Sequence, residues 1–156
     1  MAGRRPQVIA HVAVSLDGAT TGFEADVGTF YDLAASWRED VTLTGADTIL
    51  AQEEALASAP QPGPALDGPL LAVVDSRARV RRWTALRNAG HWSDVLAVSS
   101  ERTSRPDDPP ELVVGRDRVD LGGLLSALGR RPGVRVVRVD SGGALTGALL
   151  ADGLVD

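Results

Sequence analysis

Short apolar runs alternate along the chain with polar stretches rich in glycine and proline. Val8–Val14 is apolar except at His11 and predicts a strand buried on both faces. Val41–Thr44, Leu70–Val74, Asp94–Val98 and Val134–Val139 predict four more strands, and Glu111–Val114 a short one. Between them, Thr29–Arg38 puts Phe30, Leu33, Ala34 and Trp37 on one face at helical spacing. Thr48–Ala59, rich in Ala, Leu and Glu, predicts a second helix that stops at Pro60. Asp120 is placed to cap a helix over Leu121–Arg130, although Gly122 and Gly123 lower its propensity. Ala144–Leu150 predicts the last helix, and Ala19–Gly28, Pro60–Pro69 and Ser100–Pro110 read as loops. Strands alternating with helices predict one α/β domain over residues 1–156, a mostly parallel central sheet flanked by helices.

Three apolar runs end in small polar residues: at Ser15-Leu16-Asp17-Gly18, at Gly45-Ala46-Asp47-Thr48, and at Asp140-Ser141-Gly142-Gly143. In a parallel sheet these turns fall at the carboxyl ends of the strands, where ligands bind. Glycine lets backbone N–H groups approach a phosphate closely, so this edge points to a phosphate-bearing ligand.

Composition narrows the chemistry. The chain has 156 residues, enough for a real core, and with 4% aromatic residues that core must be built mainly from Val, Leu and Ala. A net charge of −5 argues against nucleic acid as a partner. Its basic residues are all Arg, which removes a Lys nucleophile or Schiff base. There is no Cys, and with two separated His a metal site is not expected. Val8–Val14 is too short to cross a membrane, and Arg4-Arg5 ahead of it is not followed by a cleavage pattern, so a cytoplasmic protein is expected. Neither a Gly-x-Ser-x-Gly elbow nor a Gly-x-Gly-x-x-Gly fingerprint is present.

Four motifs in order resemble the RibD C-terminal reductase family, which has the dihydrofolate reductase fold. Ser15-Leu16-Asp17-Gly18 matches the family's first turn, Gly45–Ile49 its Gly-Ala-x-Thr-Val segment, and Val74–Arg77 its Val-Asp-Ser-Arg. Asp140–Leu145 stands where the family has Glu-Gly-Gly-x-x-Leu. The resemblance implies an NADPH-dependent reductase that transfers hydride to the ribosyl group of a 5-amino-6-(5-phosphoribosylamino)pyrimidine, and a homodimer. It implies cofactor contacts at Gly45, Ala46, Thr48 and Gly142, Gly143, Ala144, Leu145. Ser76 and Arg77 follow a strand and suit the cofactor's 2′-phosphate, with Ser99 as a further donor. Ser15, Asp17 and Asp140 are expected at the substrate. Asp17 and Asp140 are also the candidate proton donors, provided that burial raises their pKa, with His11 behind them.

The family's Arg-bearing substrate positions are not kept: by register they fall at Ser36 and near Gln52. That leaves a different substrate open, and also a non-catalytic nucleotide-binding or oligomerisation module. Leu154-Val155-Asp156 reads as the start of another strand, and the resemblance implies further C-terminal strands, one of them beside Val8–Val14.

Overall fold

The computed structural model describes residues 5–105 and 109–156. Arg4 and part of the loop expected over Ser100–Pro110 lie outside them. Six strands form one parallel sheet: β1 (Gln7–Ala10), β2 (Val41–Gly45), β3 (Leu70–Val74), β4 (Asp94–Ser99), β5 (Glu111–Val113) and β6 (Val136–Val139). Their order is β1-β6-β2-β3-β4-β5. The helices are α1 (Val27–Ala34), α2 (Ala46–Ser58), α3 (Trp83–Asn88), α4 (Leu121–Gly129) and α5 (Gly143–Ala151), with a 3-10 turn over Ala35–Trp37 after α1.

Alternation along the strands divides the core in two. Val41 and Leu43 of β2, Val137 and Val139 of β6 and Val8 of β1 pack with Leu124, Leu125 and Leu128 of α4 and Leu149 of α5. On the opposite face Leu71, Val73, Val95 and Ala97 pack with Ile49 of α2 and with Trp83 and Leu86. Small aliphatic side chains fill both layers, as the low aromatic content requires. The cap expected at Asp120 is present: its carboxylate accepts the Gly123 N–H at 3.0 Å. Glycine at 123 also suits this contact, because a Cβ there would lie 2.6 Å from Asp120 Oδ2.

The structure corrects three expectations. The first strand ends at Ala10, and Val12 and Val14 are exposed, so the run is not buried on both faces. β1 is an edge strand, bonded to β6 on one side. On its other side the Val8 carbonyl accepts the Asp156 N–H and the Val8 N–H donates to the Asp156 carboxylate. The helix expected over Thr29–Arg38 splits into α1 and the 3-10 turn, and of its supposed inner face only Ala34 is buried, with Leu33 and Trp37 exposed. α3 was not anticipated: it is short and sits in an Arg-rich stretch, held by Trp83 and Leu86 one turn apart.

The motif at Val74–Arg77 is braced from inside. Asp75 is buried and accepts the backbone N–H groups of Arg79 (2.9 Å) and Val80 (3.0 Å). The guanidinium of Arg105, also buried, donates to the Asp75 carboxylate at 3.0 Å and to its carbonyl at 2.9 Å. This pair fixes the loop that carries Ser76 and Arg77 outward.

Candidate functional site

All six strands run the same way, so the turns after β2, β3 and β6 open on one edge. There a groove of about 1230 Å³ runs between the start of α2, the loop after β3, the Gly115–Leu121 segment and the start of α5. Its walls contain the expected cofactor residues Gly45, Ala46, Thr48, Ser76, Arg77 and Gly142 to Leu145.

Two hydroxyls join the turns at the head of this groove. Ser141 Oγ accepts the Gly45 N–H at 3.1 Å and lies 3.4 Å from Thr48 Oγ1. Thr48 Oγ1 in turn accepts the Gly142 N–H at 3.2 Å. Thr48 is therefore not the cap of α2; Gly45 occupies that position, and the Thr48 hydroxyl reaches across to the other turn. α5 begins at Gly143 with Gly142 as a cap that has no side-chain acceptor. Its first N–H groups have no acceptor within the helix and carry the positive end of its dipole. A Cβ at Gly142 would find no atom nearer than Thr48 Oγ1 at 4.0 Å, and at Gly143 none within 4 Å. The backbone there is open to a ligand rather than packed.

Arg77, Arg116 and Arg118 are exposed on the groove wall and make no ion pair among the described residues. Arg79 differs, since it pairs with Asp47 at 2.7 Å. Arg116 and Arg118 escaped the sequence reading because they follow the weakest predicted strand. Gly115 puts them there: at φ 92°, it makes a turn in which a Cβ would lie 2.1 Å from the Arg118 carbonyl oxygen.

A second cleft of about 310 Å³ lies on the far side of Ser141, which lines both. His11, Phe30, Tyr31, Gln52 and Asp140 face it, with small apolar residues between them. His11 is thus on the cleft wall and not in the core; its Nδ1 accepts the Trp37 indole N–H at 3.0 Å, and Phe30 meets its ring edge-on. As an acceptor at Nδ1 the imidazole carries its proton on Nε2. Arg138 lies beneath, with only 6% of its side chain exposed, and donates to Glu39 at 2.8 Å and to Asp140 Oδ2 at 3.1 Å. Burial opposes the Arg138 charge, but the Glu39 hydrogen bond and the Asp140 charge outweigh it and raise its pKa. Burial also raises the Tyr31 pKa; the Asp140 charge adds to this and Arg138 opposes it, so the phenol stays a donor at neutral pH.

Three expected residues are not brought to either cleft. Ser15 and Asp17 lie in the exposed turn after β1, hydrogen-bonded to each other. The Ser15 hydroxyl lowers the Asp17 pKa, which removes the condition for Asp17 to donate a proton. The turn closes locally because Gly18, at φ 84°, folds its N–H back to the Ser15 carbonyl. Ser99 is fully buried and donates to Glu111 at 2.5 Å, so it offers the groove nothing. Of the two departing positions, Gln52 does face the second cleft, whereas Ser36 donates to the Leu33 carbonyl at 2.6 Å.

The model of the RibD C-terminal domain matches residues 6–156. The chain belongs to this family. It is 32% identical over 173 residues to a 2,5-diamino-6-ribosylamino-4(3H)-pyrimidinone 5′-phosphate reductase of Archaeoglobus fulgidus, covering 97% of this chain and 77% of that protein. Among solved structures, Acinetobacter baumannii RibD superimposes with a TM-score of 0.71 at 22% identity, covering 97% of this chain and 44% of the other. The riboflavin biosynthesis reductase Rib7 of Saccharomyces cerevisiae gives 0.69 at 21% identity, covering 96% and 69%. These likenesses bear out the dihydrofolate reductase-like α/β fold expected from the four motifs. No helix among the described residues is long and apolar enough to cross a membrane.

Proposed function

We propose that this chain is an NADPH-dependent reductase of the riboflavin-pathway type, acting on a ribosylamino-pyrimidine or a closely related heterocycle. One observation carries the reading: two clefts meet at Ser141, one suited to a dinucleotide and the other sized for a small ring. NADPH would supply the hydride. The N–H groups at the start of α5 would hold its pyrophosphate, and Arg77 with Arg116 and Arg118 its 2′-phosphate. Thr48 and Ser141 keep the two turns at fixed separation, so that a cofactor in the groove would present its reactive end to the second cleft. The protein's contribution is then mainly orientation and exclusion of alternatives. Asp140, anchored by Arg138, would pin the substrate. Tyr31 and His11, both on the cleft wall, replace Asp17 as candidates to donate the proton that accompanies the hydride.

A homodimer in the cytoplasm belongs to the same proposal; the exposed apolar side chains of Val27 and Leu33 on α1 and of Trp37 in the 3-10 turn after it support a contact between copies. A binding module could have the cleft filled by side chains; the cavity present there supports the reductase reading. The test is oxidation of NADPH with the diaminopyrimidinone as substrate, followed at 340 nm. Cofactor binding without turnover on any ribosylamino-pyrimidine would leave only the binding module.

A further inference from the structure

The charge inside the second cleft restricts what can enter it. Asp140 is its only charged wall residue among those described, and the polar groups beside it are Tyr31, His11, Gln52 and the hydroxyls of Thr20 and Ser141. The Arg138 guanidinium holds Asp140 from behind, but its Nε and Nη1 are both committed to carboxylates, Glu39 and Asp140. Two carboxylates around one guanidinium leave that cluster with one net negative charge. A phosphate dianion entering here would meet like charge with no arginine free to bind it, whereas recognition of phosphate normally depends on such donors. Phe30 and Tyr31 offer aromatic faces to a planar ring, and a carboxylate recognises an edge of ring N–H and amino groups.

Resting on the reductase reading above, we infer that the second cleft takes a phosphate-free aromatic heterocycle, neutral or cationic, whose N–H edge pairs with Asp140. On this inference the 5′-phosphate named for the archaeal relative has no binding partner inside the second cleft.

The experiment compares two probes by titration calorimetry on the full chain, with and without NADP⁺: 2,5-diamino-6-ribosylamino-4(3H)-pyrimidinone and its 5′-phosphate. The phosphate-free compound is expected to bind at least as tightly. A preference for the phosphate of more than threefold overturns the inference, and so does failure of both to bind. Gln52→Arg, which puts a cation on the wall of the cleft, is expected to shift the preference at least tenfold toward the phosphate. An unchanged ratio in a folded variant would mean that the wall does not sense that group, and would also overturn it. NADPH oxidation is measured separately: binding with the expected preference but no turnover sinks the reductase reading and leaves the cleft's selectivity standing.

Discussion

Ser141 Oγ accepts the Gly45 N–H at 3.1 Å and thereby joins the carboxyl ends of β6 and β2, strands that are neighbours in space but far apart in sequence. The same side chain lines both clefts. Ser141→Ala removes the acceptor and leaves a partly buried N–H unpaired. The expected loss of stability is about 1–2 kcal/mol. NADPH binding is expected to weaken as the two turns lose their common tie. Thermal melting with a fluorescence titration of NADPH checks both, and a variant with unchanged melting and unchanged affinity would show that the tie is dispensable.

Arg77 should set the preference for NADPH over NADH. A charged hydrogen bond to the 2′-phosphate is worth roughly 1.5–3 kcal/mol, which corresponds to at least tenfold in affinity. Arg77→Ala is expected to weaken NADPH by that factor and leave NADH unchanged, because NADH has no phosphate there. If the Arg77 variant keeps full selectivity while Arg116→Ala or Arg118→Ala loses it, the 2′-phosphate lies across the groove.

Gly142→Val is expected to fold normally and bind cofactor poorly. The φ of Gly142 is −67°, so a side chain brings no left-handed strain. Its Cβ would project into open groove, beyond Thr48 Oγ1 at 4.0 Å. The branched side chain would then stand where a pyrophosphate must approach the helix end. Cofactor titration and melting separate the two effects; a lowered melting temperature with intact binding would make Gly142 a packing residue.

The legible parts of this molecule are those whose signal is local. Leu70–Val74 and Asp94–Val98 announce themselves because central parallel strands are largely apolar on both faces, Val41–Thr44 through its β-branched residues, and Asp120 announces its helix through a cap. Most of the groove was legible because the turns after β2, β3 and β6 each carry a motif, whereas its Gly115–Leu121 wall carries none. The second cleft was legible only in part: Asp140 lies in the fourth motif and His11 and Gln52 stood out singly, but Tyr31 carries no motif and nothing local joins these distant segments. Arg138 sits in an apolar run where a buried ion cluster gives no sign of itself. Asp17 misled for the opposite reason: its motif is conspicuous, but here the carboxylate is spent on a local turn with Ser15 and Gly18.

Acid should loosen the segment between β1 and β2. The N–H of Thr29, with its hydroxyl, lowers the pKa of the α1 cap Asp26, and the Ser15 hydroxyl does the same for Asp17. A carboxylate with a depressed folded-state pKa stabilises fully above its unfolded value, here 3.8, and that contribution fades as pH falls through the lower folded value. Amide exchange over residues 15–34 is therefore expected to rise below about pH 4. Asp26→Asn keeps a capping oxygen without the charge and should flatten that pH response. A response of equal size in the variant would place the titration elsewhere.

The Asp75–Arg105 pair gives the largest expected effect on stability. Both side chains are buried, at 0% and 2% exposure, and Asp75 also accepts two backbone N–H groups from its own loop. Asp75→Ala removes the nearer carboxylate of Arg105, leaving it Glu111 at 3.4 Å and the Trp83 ring, whose centre lies 5.3 Å away, and frees the loop that carries Ser76 and Arg77. Removing one partner of such a pair typically costs about 3–5 kcal/mol, because the remaining charge stays out of water. Asp75→Asn keeps the size and one acceptor and should cost less than Asp75→Ala. Urea unfolding of both variants, with NADPH titration of whichever stays folded, distinguishes a brace from a binding residue. If Asp75→Asn keeps its stability but loses NADPH, Asp75 would act on the cofactor side of the loop and not as its internal support.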